Sequence, residues 1–147
     1  MTTPNTLHDL LKAVAPFTKG RIDLRLMGDG TPYCATLRYG EGTYEVFVLD
    51  VLDVRDTAKN EALIVAFVQA ECQRRDGWDM EIILHHERNP ACIIYRPATP
   101  SECADESLTL IVGAGLVEMR PFEASAPSLA HAALTALRDA GQDTETR

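Results

Sequence analysis

The sequence predicts an α+β fold: one mostly antiparallel sheet of five to seven strands, packed with two long helices and a short N-terminal helix. Three observations carry this. Residues 22–52 hold three runs of apolar and polar alternation separated by glycine-rich turns. Residues 56–78 (DTAKNEALIVAFVQAECQRRDGW) read as a long helix. Residues 125–141 repeat alanine and leucine at helical spacing. The helix over 56–78 is the expected organiser, because residues 62–68 (ALIVAFV) are apolar without a break and a surface helix would show a narrower stripe.

Taken in order, Asn5 or Thr6 can cap a first helix ending near Ala15, with Leu7, Leu10, Leu11 and Val14 on one face and Pro16 as its stop. Ile22, Leu24 and Leu26 then alternate with polar neighbours up to Gly28-Asp29-Gly30. Tyr33, Ala35, Leu37 and Tyr39 do the same up to Gly40-Glu41-Gly42. The third run, residues 44–52, is apolar on both faces at Val46, Phe47, Val48 and Leu49, which predicts a central strand covered from both sides. Asp50, Asp53 and Asp56 follow at a spacing of three; residues three apart on a strand point to opposite faces, so the expectation is a helix cap at Asp56 or Thr57 and no metal site.

The long helix ends with Arg74 and Arg75 at its negative pole and Gly77 as C-terminal glycine. Trp78, the sole tryptophan, is expected to fold back against the core edge. Residues 80–86 and 91–95 predict a second hairpin. Residues 96–105 are a proline-rich loop, and 107–112 and 116–122 predict two more strands around Gly113-Ala114-Gly115. That G-x-G lacks the third glycine of a dinucleotide loop, Glu118 standing in its place. In the last helix Ser125 is the expected cap, Leu129, Ala133, Ala136, Leu137 and Ala140 the apolar face, and Gly141 the stop. This makes a single domain over residues 1–141 and a disordered tail over 142–147.

Function is constrained more by exclusion than by motif. The 147 residues, 46% of them hydrophobic and 24% charged, suit a folded chain, and no apolar run approaches the roughly 20 residues of a membrane helix. The opening MTTPNTLHDLLK has no secretory pattern, so cytoplasmic residence is expected. Cys34, Cys72, Cys92 and Cys103 form no C-x-x-C pair and are expected as free thiols, with neither a metal nor another cofactor implied. The net charge of −8 divides into +2 over residues 1–40 and −10 over 41–147, which disfavours a duplex nucleic acid partner and suits a protein partner with a basic surface.

The reading these features support is a non-catalytic acidic interaction protein. Inhibition of a nucleic-acid-handling or defence system is one form it could take. A second reading is a small-ligand protein that binds or sequesters a nucleotide, with Arg21, Arg25, Arg38 or Arg96 on phosphate and Tyr33 or Trp78 stacking the base. A third is a hydrolase using His85 or His86 as a base. An exposed edge strand would also allow a homo-oligomer.

The order helix, three strands, helix over residues 5–76 resembles a double-stranded-RNA-binding domain in topology, but DTAKNEA offers only Lys59 where that family opens its second helix with a basic cluster. A second resemblance reaches the residues. The helix followed by GWDMEIIL, a strand ending IIYRP, and then FEASAPSLAHAALTAL is similar to the phage ABA sandwich domain family over about residues 56–140. The shared positions are Gly77, Trp78, Pro127, Leu129, Ala130, Ala132, Ala133 and Leu134; His131 departs from the arginine common there. The resemblance implies a phage or mobile-element origin and a helix-sheet-helix sandwich, and no activity.

Overall fold

The computed structural model describes residues 6–30, 32–47, 57–98, 110–112 and 117–145. Thr6 opens the first helix, α1 (Leu7–Val14), its hydroxyl accepting from the Asp9 amide at 3.3 Å. Pro16 does not simply end this helix. It sits in the first turn of a 3-10 segment, Ala15–Thr18, where a missing N–H costs nothing.

Strands β1 (Ile22–Leu26), β2 (Pro32–Tyr39) and β3 (Gly42–Phe47) form the predicted antiparallel meander. Helix α2 (Thr57–Arg74) then carries the chain about 27 Å at 1.5 Å per residue. Beyond it come β4 (Asp79–Ile83), β5 (Ala91–Pro97), β6 (Leu110–Val112), β7 (Val117–Ser125) and α3 (Leu129–Glu145).

The expected single sheet is corrected. The strands divide into a three-stranded sheet, β1-β2-β3, and a four-stranded one, β4-β5-β7-β6, both antiparallel throughout. No pairing joins them among the described residues. Helix α2 leaves the first sheet before β4 begins, and the helices occupy the space between the sheets. Helix α2 packs on β2, β3, β4 and α3, while α3 packs on β5, β7, α1 and α2. Alternation shows which face of a strand is apolar, but it does not show which strands are neighbours.

One apolar cluster joins both sheets to the helices, including Leu37 and Val46 from the first sheet, Ile94 from the second, and Phe67 and Leu134 from the helices. Its hub is α3 and not the longer apolar run of α2. Ala130, Ala132, Ala133, Leu134, Ala136, Leu137 and Ala140 are all fully buried, whereas within residues 62–68 only Ile64, Phe67 and Val68 are. Alanines let backbones approach closely, so a small-residue helix can be covered on three sides.

Gly141 shows the same close packing. It lies inside α3, which continues to Glu145, and a Cβ at this position would overlap the Phe17 ring. Its expected role as helix stop is therefore replaced by a packing role. Ser125 ends β7, and Ser128 is the residue whose hydroxyl accepts from the His131 amide at 3.4 Å. A second cap comes from another helix, as Leu129 N–H donates to Glu61 Oε1 at 2.6 Å.

The third strand is an edge strand and not a central one. Val46 is fully buried, but Phe47 on the opposite face is 40% exposed. Val48, Leu49, the aspartates at 50, 53 and 56, Cys103 and Gly113-Ala114-Gly115 lie outside the described residues.

Candidate functional site

The outer face of the four-stranded sheet carries a set of carboxylates that make no ion pair among the described residues. Its inner face, through Met80, Cys92, Ile94, Phe122 and Ala124, packs into the core. Alternation then turns Asp79, Glu81, Ile93, Tyr95, Pro121 and Glu123 outward. The register aligns Glu81 with Ile93 and Ile93 with Glu123 in one row, and Asp79 with Tyr95 and Tyr95 with Pro121 in the next.

Asp79, Glu81 and Glu123 are exposed, and none makes an ion pair among the described residues. The Tyr95 hydroxyl donates to Glu81 Oε2 at 3.3 Å. Burial raises the Tyr95 phenol above its ordinary value, and the charges of Glu81, Glu123 and Asp79 raise it further. The row is acidic at its ends and apolar in the middle.

The first sheet handles its charges differently. On its outer face Arg25 pairs with Glu45 at 2.8 Å, and Arg38 pairs with Asp23 while donating to the Gly20 carbonyl at 2.9 Å. Where this sheet meets the end of α2, Glu71 is buried with 1% of its side chain exposed. Arg21 grips it through Nε at 2.6 Å and Nη2 at 3.4 Å, Arg74 through Nη2 at 3.0 Å, and Arg75 through Nη2 at 3.5 Å.

Arg75 also donates to the Phe17 carbonyl at 2.8 Å and lies over the Trp78 ring at 5.0 Å. Burial, followed by the charge of neighbouring Arg74, lowers its pKa from the ordinary guanidinium value. A cavity of about 300 Å³ opens beside this cluster, walled by Arg21, Arg38, Arg74, Glu71 and Tyr39.

The predicted ligand residues are thus split. Arg21 and Arg38 come together at the cavity, brought side by side where the Arg38 amide donates to the Arg21 carbonyl at 2.8 Å. Arg25 is taken up by Glu45 on the outer face. Arg96 belongs to the other sheet, 3% exposed, with its guanidinium 5.1 Å over Phe122 and Nη1 donating to the Pro97 carbonyl at 3.1 Å. Tyr33 is half-buried at the start of β2, away from Tyr39 at its end. Trp78 packs half-buried on the core edge as expected, under Arg75.

His85 and His86 lie past the end of β4, in a loop and not on the strand expected for them. His85 Nδ1 is 3.5 Å from Arg88 Nη2, and among the described residues no carboxylate or hydroxyl lies within hydrogen-bond reach of either ring. A second cavity of about 380 Å³ includes Ser125, Ser128, His131 and Thr135, but the Ser128 hydroxyl accepts from the helix's own amide and Ser125 donates to the Pro90 carbonyl at 3.3 Å. No group of three metal-binding side chains occurs among the described residues. No described helix is long and apolar enough to cross a membrane.

Glu71 is the residue that sequence reasoning missed. Its signal was positional: Ile64, Phe67, Val68, Glu71 and Cys72 recur at helical spacing, so a carboxylate stood on the buried stripe and needed a partner from elsewhere. Glu123 was missed for a different reason, since its partners Ile93 and Glu81 are defined only by register. No family model, curated protein or solved structure matches the chain, and the likeness to the phage ABA sandwich domain is therefore neither supported nor opposed.

Proposed function

We propose that the chain is a non-catalytic binding protein that docks a basic protein segment on the outer face of its four-stranded sheet. One observation carries the reading: Asp79, Glu81 and Glu123 surround Tyr95 and Ile93 on that face with no Lys or Arg among them. Exposed carboxylates with no ion pair among the described residues, set around an aromatic and an aliphatic side chain, give long-range steering toward cations and a small apolar patch to desolvate on contact. The partner chemistry is an Arg- or Lys-rich surface. A groove that normally holds nucleic acid has that character, so occupation of such a groove is the form of inhibition this face suits. An origin in a phage or other mobile element, implied by the resemblance, belongs to the same proposal.

The test is titration of an arginine-rich peptide into the wild-type chain and into the double variant E81K/E123K at low and at high salt. Wild type should bind, weaken as salt rises, and lose binding in the variant, whose exposed positions leave folding intact. Equal binding by both proteins would remove this face from consideration.

A further inference from the structure

The arginine cavity holds more positive charge than its structural role uses. The side chains at its wall and their ion-pair partners comprise Arg21, Arg38, Arg74 and Arg75 against Glu71 and Asp23. That leaves two positive charges over in a chain whose net charge is −8. Arg21 and Arg75 already satisfy both the buried carboxylate and the Phe17 carbonyl. Arg74, at 38% exposure, and Arg38, at 45%, stand on the open side.

Among the described residues Arg21 Nη1, Arg74 Nη1 and Arg38 Nη2 have no protein acceptor. Glu71, the Gly20 carbonyl and Asp23 hold these guanidinium groups in place. They are preorganised donors, and little rotamer freedom is left to lose on binding.

We propose that this cavity binds a small phosphate monoester, with its phosphoryl oxygens held by Arg21, Arg38 and Arg74 and its organic part against Tyr39. Charge and geometry both select this class. A phosphate monoester carries about −1.5 to −2 near neutral pH, with three acceptor oxygens, matching a surplus of two charges on three forks. The volume of about 300 Å³ stands at the low end for small-ligand pockets and leaves room for an organic group beside the phosphoryl. Tyr39 is fixed by stacking on Tyr44, ring centroids 4.5 Å apart, and by its edge contact with Phe67. The site lies on the first sheet, and so its test is independent of the acidic face.

Calorimetric titration of the full chain with inorganic phosphate, a nucleoside monophosphate, the matching nucleoside and a sugar phosphate decides the matter. Both esters should bind saturably and the nucleoside should not. R38Q and R74Q should each weaken ester binding about tenfold or more, the size of one charge-assisted hydrogen bond. R38Q is the control for folding, since Arg38 makes no contact with Glu71 and its thermal unfolding should match wild type. A nucleotide preferred over the sugar phosphate would assign the organic part to a base on Tyr39, and equal affinity of the two esters, both above inorganic phosphate, would show that Tyr39 packs either organic group without preference. Absence of saturable ester binding, or unchanged affinity in R38Q/R74Q, would overturn the proposal, as would inorganic phosphate binding as tightly as the esters.

Discussion

Glu71 shows how one side chain sets the energetics of a region. A carboxylate taken out of water is costly unless paired and hydrogen-bonded, and here Arg21 reaches it from the turn before β1, Arg74 from the last turn of its own helix and Arg75 from just past that helix's end. Replacing it with alanine leaves three guanidinium groups facing a small void. Glu71→Ala should destabilise by about 3 kcal/mol, the lower end of the range for breaking a buried pair, because Arg21 and Arg74 can turn toward water. Chemical denaturation measures this, and a loss below about 1 kcal/mol would mean the cluster is no stronger than a surface ion pair.

The thiols give a second prediction at this scale. Cys34, Cys72 and Cys92 are buried and free, as expected of small hydrophobes. Burial pushes both Cys72 and Cys92 from the ordinary 9.0 up to about 12, with Cys92 adding to the effect on Cys72. The unfolded chain therefore releases these protons first as pH rises. The stability they contribute is full below pH 9 and is lost between 9 and about 12. The slope within that window is about 1.4 kcal/mol per pH unit for each thiol. Denaturation midpoints measured across the alkaline range should fall for wild type and fall less steeply for C72A/C92A; parallel curves would show that other groups govern the decline.

Among the elements, α3 illustrates a helix whose start is decided by a neighbour. Its own sequence supplies Ser128, and α2 supplies the Glu61 carboxylate 2.6 Å from the Leu129 amide. An acceptor at the first turn satisfies an orphan donor and sits at the positive end of the dipole. Glu61→Ala should cost about 1 kcal/mol, as loss of a cap does. Thermal unfolding reads it, and an unchanged midpoint would make Ser128 sufficient alone.

Element existence was legible because hydrophobic periodicity is local: the meander, α2, the β4–β5 hairpin and α3 all follow the expected order. Element ends were less so. Phe17 packs against Gly141 from 124 residues away along the chain, and the helix runs past this glycine to Glu145. His85 and His86 were expected on a strand because the apolar run before them ends at Leu84, but β4 loses its partner after Ile83 pairs with Ala91. Leu84 is left 75% exposed.

At the scale of the whole molecule, the helices between two sheets place the best-protected backbone in α3. Hydrogen exchange should be slowest for the amides around Ala132–Leu137, buried between α1, α2 and the four-stranded sheet, and faster in the edge strands β3 and β4. Slower exchange in α2 than in α3 would restore the longer apolar run as the centre of stability.

Composition, periodicity and turn residues were enough by themselves to determine an α+β chain with these helices and hairpins, its buried thiols and its acidic balance, because each depends on residues near one another in sequence. The partition into two sheets, the edge position of β3, the hub role of α3, the burial of Glu71 under three arginines and the alignment of Glu81, Ile93 and Glu123 in one row were decided only by the tertiary structure. Strand neighbours and buried charge partners are pairings across long stretches of chain, and local pattern carries no term for them.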